Sequence, residues 1–200
     1  VCEHAADLFA SAELQIGGKP QTPEDYIRDV SSTTGIPQTL CATNLVKIQG
    51  ACGQIRRTFH GLTRGLDPSA LDKGLSADRL SYMPTARGLG AVLPSNSPGV
   101  HSLWIPSLAL KVPVYLKPGG SEPWTPYRLR AALLQAGLPE SAISMYPSDH
   151  EGANTLLEVS DRGMVFGQAS TVAAYVNNPA VSVHGPGYSK VILGDDARES

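Results

Sequence analysis

The chain is poor in aromatic residues, in charge of either sign and in cysteine. Of its 200 residues, 6% are aromatic and 17% charged. Lys and Arg number 16 against 18 Asp and Glu, a formal net charge of −2. So even a balance gives no global field to draw in phosphates, and two Trp and three Phe are too few to stack bases, so no nucleic-acid partner is expected. No apolar run approaches the ~18 residues of a membrane helix, so no membrane partner is expected either. No basic-then-apolar leader opens the chain. Three cysteines, Cys2, Cys41 and Cys52, are too few for a disulfide scaffold. The last two read onto one helix, roughly 16 Å apart along its axis and beyond the reach of a bridge. Buried thiols in a reducing, cytoplasmic compartment are the expectation.

Familiar chemistries are missing too. There is no G-x-x-x-x-G-K-[ST] phosphate loop and no G-x-G-x-x-G after a strand. No G-x-S-x-G elbow and no H-E-x-x-H occur. Asp149-His150-Glu151 are consecutive, so their side chains diverge rather than converge on one ion, and no metal is expected.

What is present suits a folded chain. Hydrophobic residues make up 42%, too many for disorder, and 20 Gly with 16 Pro stay below the low-complexity range. A chain of this size buries roughly 70% of its unfolded surface, so one domain with an appendage is expected. It opens at Val1 rather than Met and reads as a piece of something longer.

Two unlike parts follow. Residues 1–84 read as a helical layer. Thr22-Pro23-Glu24-Asp25 is a helix start with a capping threonine, proline at the first helical position and an acid to complete a capping-box-like pair. That helix should end near Gly35, and a second should start near Pro37. In the second, Leu45, Ile48, Cys52, Ile55, Phe59 and Leu62 step by three and four and form one apolar stripe. Gly50 and Gly53 interrupt it, and 61–74 is rich in turn residues and reads as loop.

From residue 85 short β-branched runs alternate with helical stretches. Strands are expected at 89–93, 112–116, 142–146, 163–166, 181–184 and 190–193, and helices near 99–110, 126–136, 151–159 and 170–176. This alternation predicts an α/β fold, a Rossmann-like mostly parallel sheet with flanking helices, preceded by the helical layer. Such a sheet binds ligands past the carboxyl ends of its strands. The residues to watch therefore follow the strands: Pro94-Ser95-Asn96, Lys117-Pro118-Gly119-Gly120, Gly167-Gln168-Ala169-Ser170 and Gly185-Pro186-Gly187.

These loops carry a resemblance. Pro94-Ser95-Asn96-Ser97-Pro98, Lys117-Pro118, Ala136-Gly137-Leu138-Pro139 and Phe166-Gly167-Gln168-Ala169-Ser170, in this order, resemble the aldehyde dehydrogenase superfamily. Thr34-Gly35-Ile36-Pro37 resembles the helix junction upstream, and Val191 to Ala197 the strand and acidic turn that close the same region. The resemblance implies that 85–200 is an NAD(P)-binding domain, truncated before the nucleophilic cysteine. It also implies chemistry in which a thiolate attacks an aldehyde, a donor holds the oxyanion, and a hydride passes to nicotinamide.

Residue by residue, Asn96 matches the oxyanion donor, while an Asx turn is the structural alternative. Pro94 and Ser95 share its loop. Lys117 matches the lysine at the adenosine ribose. Gly120 stands where NAD-preferring members carry an acid, so NAD or NADP is expected, with Glu122 as the nearest alternative carboxylate. Gly167-Gln168-Ala169-Ser170 resembles the turn under the pyrophosphate, with Gly167 and Ala169 in place of the usual threonine and first serine, so Gly167 and Ser170 are the candidate contacts and a plain N-cap at Ser170 the alternative. His184 stands where hydrolytic members have a water-activating glutamate. It is either a base or a strand-end histidine satisfied by backbone. Gly185-Pro186-Gly187 looks like the CoA-acylating branch, in which CoA is a co-substrate. A non-catalytic nucleotide-binding remnant is the alternative to an enzyme. By resemblance, the partner is a small-molecule aldehyde and the full-length protein a homo-oligomer.

Overall fold

The structure, a computed structural model, describes residues 1–65, 67 and 85–187. Helix α1 (Cys2–Ser11) leads into a hairpin of β1 (Leu14–Ile16) and β2 (Lys19–Gln21), then α2 (Pro23–Thr34), α3 (Gln38–Gly53) and α4 (Ile55–Leu62). Beyond residue 85 come β3 (Leu89–Val92), a 3₁₀ helix (Pro98–Leu103), α5 (Ile105–Ala109), β4 (Val114–Lys117) and α6 (Trp124–Gln135). Then follow β5 (Ile143–Met145), α7 (His150–Val159), β6 (Arg162–Phe166), α8 (Ala169–Val172) and β7 (Val181–His184).

The helix starts obey local chemistry. Thr22 Oγ1 accepts from the Asp25 amide and Asp25 returns the favour to the Thr22 amide, a complete capping box with Pro23 at the first helical position. The helix closes on Gly35 as expected. The expected single stripe helix is two helices, broken at Gln54 just after Gly53. Leu45, Ile48, Cys52, Ile55 and Phe59 of the stripe are buried, but Leu62 is 58% exposed and leaves it. Gly61 and Leu62, expected as loop, extend α4.

The hairpin is a correction to the all-helical reading. Gly17 and Gly18 sit at φ 61° and 79°, the left-handed pair that a two-residue hairpin turn requires. The turn is pinned from outside, the Gly17 amide donating to the Tyr127 hydroxyl of α6 at 3.1 Å.

Among the described residues, five strands make one all-parallel sheet in the order β5-β4-β3-β6-β7, a Rossmann-like arrangement. The strand expected at 190–193, and with it Val191 to Ala197, lies outside the described residues. Because β3 starts the series and has later strands on both sides, the strand order reverses at β3 and β6. Ligand crevices form at such a point. Leu89, Ala91, Val114, Leu116 and Ile143 face a core shared with α1, α2, α3 and α6. On the other face Val165, Leu157 of α7 and Val172 of α8 form a smaller cluster. The helical layer and the sheet are therefore welded through one apolar core.

Candidate functional site

The residues singled out after the strands converge on the carboxyl edge of the sheet. At ~4.8 Å per strand, the ends of β4, β3, β6 and β7 span roughly 14 Å. Register then decides which face each side chain takes. Lys117 pairs with Val92, Val92 with Val165, and Val165 with Val183, so these four form one row on one face. One residue further along, Phe166 pairs with His184, and period two turns both to the opposite face.

Beside the Lys117 row lies a cleft of about 260 Å³ between α7 and the α8 segment. Val92 and Val165 floor it, Ala153, Leu157 and Ala174 wall it, and His150, Asn154, Thr171 and Tyr175 supply polar atoms. The Tyr175 hydroxyl donates to Asn154 Oδ1 and ties the two walls together. Lys117 is half-buried, and its ammonium has no hydrogen bond or ion pair among the described residues.

Asn96 is exposed and its amide makes no hydrogen bond among the described residues, so it forms no Asx turn. Its loop is clamped to the one after β4. A Cβ at Gly119 would lie 2.4 Å from the Pro94 carbonyl oxygen and 2.6 Å from the Ser95 nitrogen, so only glycine lets the two backbones meet. The Ser121 amide donates to Ser95 Oγ at 3.5 Å. Gly120 faces open space, and a side chain there would touch nothing within 4 Å.

Two expectations need correction. Glu122 cannot serve as a ribose carboxylate, because it is fully buried and already engaged. Its Oε1 accepts from the Thr125 amide at 2.9 Å and hydroxyl at 2.7 Å, and its Oε2 lies 3.0 Å from His101 Nε2. Ser170 is not an N-cap, since the helix begins at Ala169 with Gln168 as the cap residue, and it has no capping side-chain bond. Ser170 is exposed, and Gly167 donates its amide to the His184 carbonyl at 3.1 Å.

His184 is held by side chains rather than backbone. Its ring stacks on Phe166 at 4.5 Å between centroids and 16° between planes, and its Nε2 lies 3.1 Å from Ser182 Oγ. The structure thus brings the loop after β3 against the loop after β4, next to Lys117 at the end of β4, and sets His184 on the sheet face opposite Lys117.

The cysteines lie elsewhere. Cys41 and Cys52 are buried in α3 and Cys2 is half-buried in α1. Burial pushes the Cys52 thiol up to about 12, with the neighbouring Cys2 adding to the rise, and burial raises Cys2 and Cys41 as well. Asp149 accepts from the Gly152 amide at the start of α7 as its N-cap, and no cluster of metal-ligating side chains occurs among the described residues.

No protein-family model and no curated protein matches the chain. Solved structures match it in fold. An aldehyde dehydrogenase from Brucella melitensis biovar abortus 2308 superposes with a TM-score of 0.67 at 13% identity, over 93% of this chain and 38% of that one. A succinate-semialdehyde dehydrogenase from Burkholderia pseudomallei gives 0.61 at 14%, over 92% and 37%. Proline utilization A from Bdellovibrio bacteriovorus gives 0.62 at 16%, over 90% and 18%. The chain thus spans under two-fifths of the length of the solved proteins it matches. The resemblance to the aldehyde dehydrogenase superfamily holds at the level of the fold.

Proposed function

We propose that this chain is the dinucleotide-binding part of an aldehyde dehydrogenase-like oxidoreductase, taking NAD or NADP at the carboxyl edge of its sheet. The observation that carries this reading is Lys117, a half-buried cation without a partner among the described residues, in the same cross-strand row as the floor of an apolar cleft. A nucleotide needs a slot with an apolar floor and polar rim for its base, and a donor for its ribose or phosphate. The cleft and Lys117 fit that pair of needs, and Pro94 and Ser95, in the loop clamped against Gly119, are further proposed contacts. Gly167 and Ser170 are the proposed pyrophosphate contacts. When bound, the nicotinamide accepts or returns a hydride.

The exposed amide of Asn96, without a hydrogen bond among the described residues, is the proposed oxyanion donor for an aldehyde substrate, a role worth roughly 10²–10³ in turnover. The thiolate is proposed to come from outside these residues, since Cys2, Cys41 and Cys52 all sit in the helical layer. His184, on the far face, is the proposed base for water. The second reading makes CoA the acyl acceptor and rests on Gly185-Pro186-Gly187, beside which His184 replaces a glutamate. For the whole protein, a cytoplasmic homo-oligomer acting on a small aldehyde is proposed.

Calorimetric titration with NADH and NADPH tests the reading. At least one should bind saturably, and Lys117→Ala should weaken it by about tenfold. Gly120→Glu, which has room, should weaken NADPH relative to NADH. Failure of both nucleotides to bind the folded chain would falsify the proposal.

A further inference from the structure

Five side chains form a polar chain through the core that plays no part in the reading above. Tyr26, His101, Trp104, Glu122 and Thr125 are each fully buried, at 0% exposure. Trp104 Nε1 lies 3.2 Å from His101 Nδ1, His101 Nε2 lies 3.0 Å from Glu122 Oε2, and Thr125 Oγ1 lies 2.7 Å from Tyr26 Oη.

The proton positions follow from donor chemistry. An indole N–H can only donate, so His101 Nδ1 accepts and the ring proton sits on Nε2, aimed at Glu122. The Thr125 hydroxyl gives its one proton to Glu122 Oε1, so the Tyr26 hydroxyl donates to Thr125. Glu122 thus accepts three hydrogen bonds, from His101 and from the amide and hydroxyl of Thr125, in a site closed to water. Every arrow runs toward Glu122, so the chain has one direction and cannot be reversed without stranding a donor.

Its place in the fold gives it a purpose. His101 rides on the 3₁₀ helix that begins two residues after Asn96. Glu122 follows Gly120 by two residues and sits just ahead of α6. Their contact therefore joins the loop carrying Asn96 to the loop that follows Lys117, five residues from each. Near the crevice the same loops touch through Gly119 against Pro94 and through Ser121 against Ser95. The weak outer contact, at 3.5 Å, is backed by a strong inner one in a dry site, where hydrogen bonds to a carboxylate are strongest. Tyr26 extends the anchor to α2 in the helical layer.

We infer that His101 and Glu122 are positioning residues for the dinucleotide site: they fix the separation of the two loops that flank it, without touching the ligand. The inference rests on the proposed nucleotide reading of that site. A merely structural pair would contribute to folding alone, whereas a positioning pair also sets affinity.

The test titrates NADH and NADPH against wild type, Lys117→Ala, His101→Leu, His101→Gln and Glu122→Gln, and records thermal unfolding of each. Glutamine at 101 can accept from Trp104 and donate to Glu122, so it restores the polarity of the chain. His101→Leu should weaken binding by about tenfold, and His101→Gln should return it to within about threefold of wild type. Glu122→Gln sets an amide against the His101 proton, and should weaken binding comparably while keeping its volume, which guards against a leucine variant that does not fold. Folded His101→Leu or Glu122→Gln protein that binds like wild type, while Lys117→Ala does not, overturns the positioning role and leaves the nucleotide reading standing. If Lys117→Ala also binds like wild type, it is the nucleotide reading that fails.

Discussion

Arg128 is a fully buried cation of this core, and it has no carboxylate partner among the described residues. Its guanidinium donates to three backbone carbonyls, Phe9 at 3.0 Å, Gln21 at 2.8 Å and Ala12 at 2.6 Å, and lies 5.9 and 5.8 Å from the Phe9 and Tyr26 ring centroids. It therefore closes the carboxyl end of α1, where the helix dipole favours a cation, and stitches β2 to α6. A lysine keeps the charge but not the planar fork. Arg128→Ala should cost about 3 kcal/mol and Arg128→Lys about 2, read from urea unfolding. A lysine variant within ~0.5 kcal/mol of wild type would show that charge and not the fork matters. Some residues of the candidate site were legible in the sequence because their signals are local. Lys117 ends a strand and Asn96 follows one by four residues, and the sheet sets both at its carboxyl edge. Glu122 was legible only as a carboxylate near a lysine. Thr125 binds it from three residues on, but His101, which closes the buried chain, is 21 residues away, and no local pattern announces that contact.

Elements were readable where capping and period agree, and failed where tertiary contact supplies the order. The capping box at Thr22, the end of α6 before Gly137 and most strand positions are short-range facts. The hairpin is not. Its strands have three residues each, and Pro20 sits in one of them, so docking on Tyr127 and Arg128 sustains what propensity does not. Gly17-Gly18 was the signal to follow. Capping also sets a pH response. The Gly152 amide holds the Asp149 carboxyl below the usual carboxylate range, and the Thr22 amide and hydroxyl do the same for Asp25. A carboxyl whose folded pKa is depressed adds stability above its unfolded value of about 3.9, and that stability is lost as pH falls through the folded pKa. Asp149→Asn retains a capping oxygen and does not titrate. Its urea midpoint should run parallel to wild type between pH ~7 and ~5, and the gap should narrow below pH ~4 as wild type loses its advantage. A gap that stays constant to the acid limb would remove Asp149 from the pH response.

At the scale of the molecule, the proposed ligand edge and the thiols are held in different places. Lys117, Asn96 and His184 lie at the carboxyl edge of the sheet, while Cys2, Cys41 and Cys52 lie in α1 and α3, Cys41 and Cys52 within the shared core and Cys2 packed against it. Burial protects the thiols twice, by blocking access and by raising their pKa, which for Cys52 reaches about 12. A thiol so raised carries almost no thiolate near neutral pH, and thiolate is the attacking species. Binding and covalent chemistry should therefore separate cleanly in these 200 residues. The chain should bind a nicotinamide dinucleotide yet show no aldehyde-dependent change in nicotinamide absorbance, with or without CoA. Alkylation followed by mass spectrometry should label Cys41 and Cys52 slowly in the folded state and at the rate of a free thiol in denaturant. Turnover that disappears on replacing any of the three cysteines would place the reacting thiol in the helical layer and undo the assignment of the chemistry to the edge of the sheet. Turnover unaffected by all three replacements would require a mechanism without a cysteine from this chain, and Asn96→Ala would then be the variant that tells whether the edge takes part.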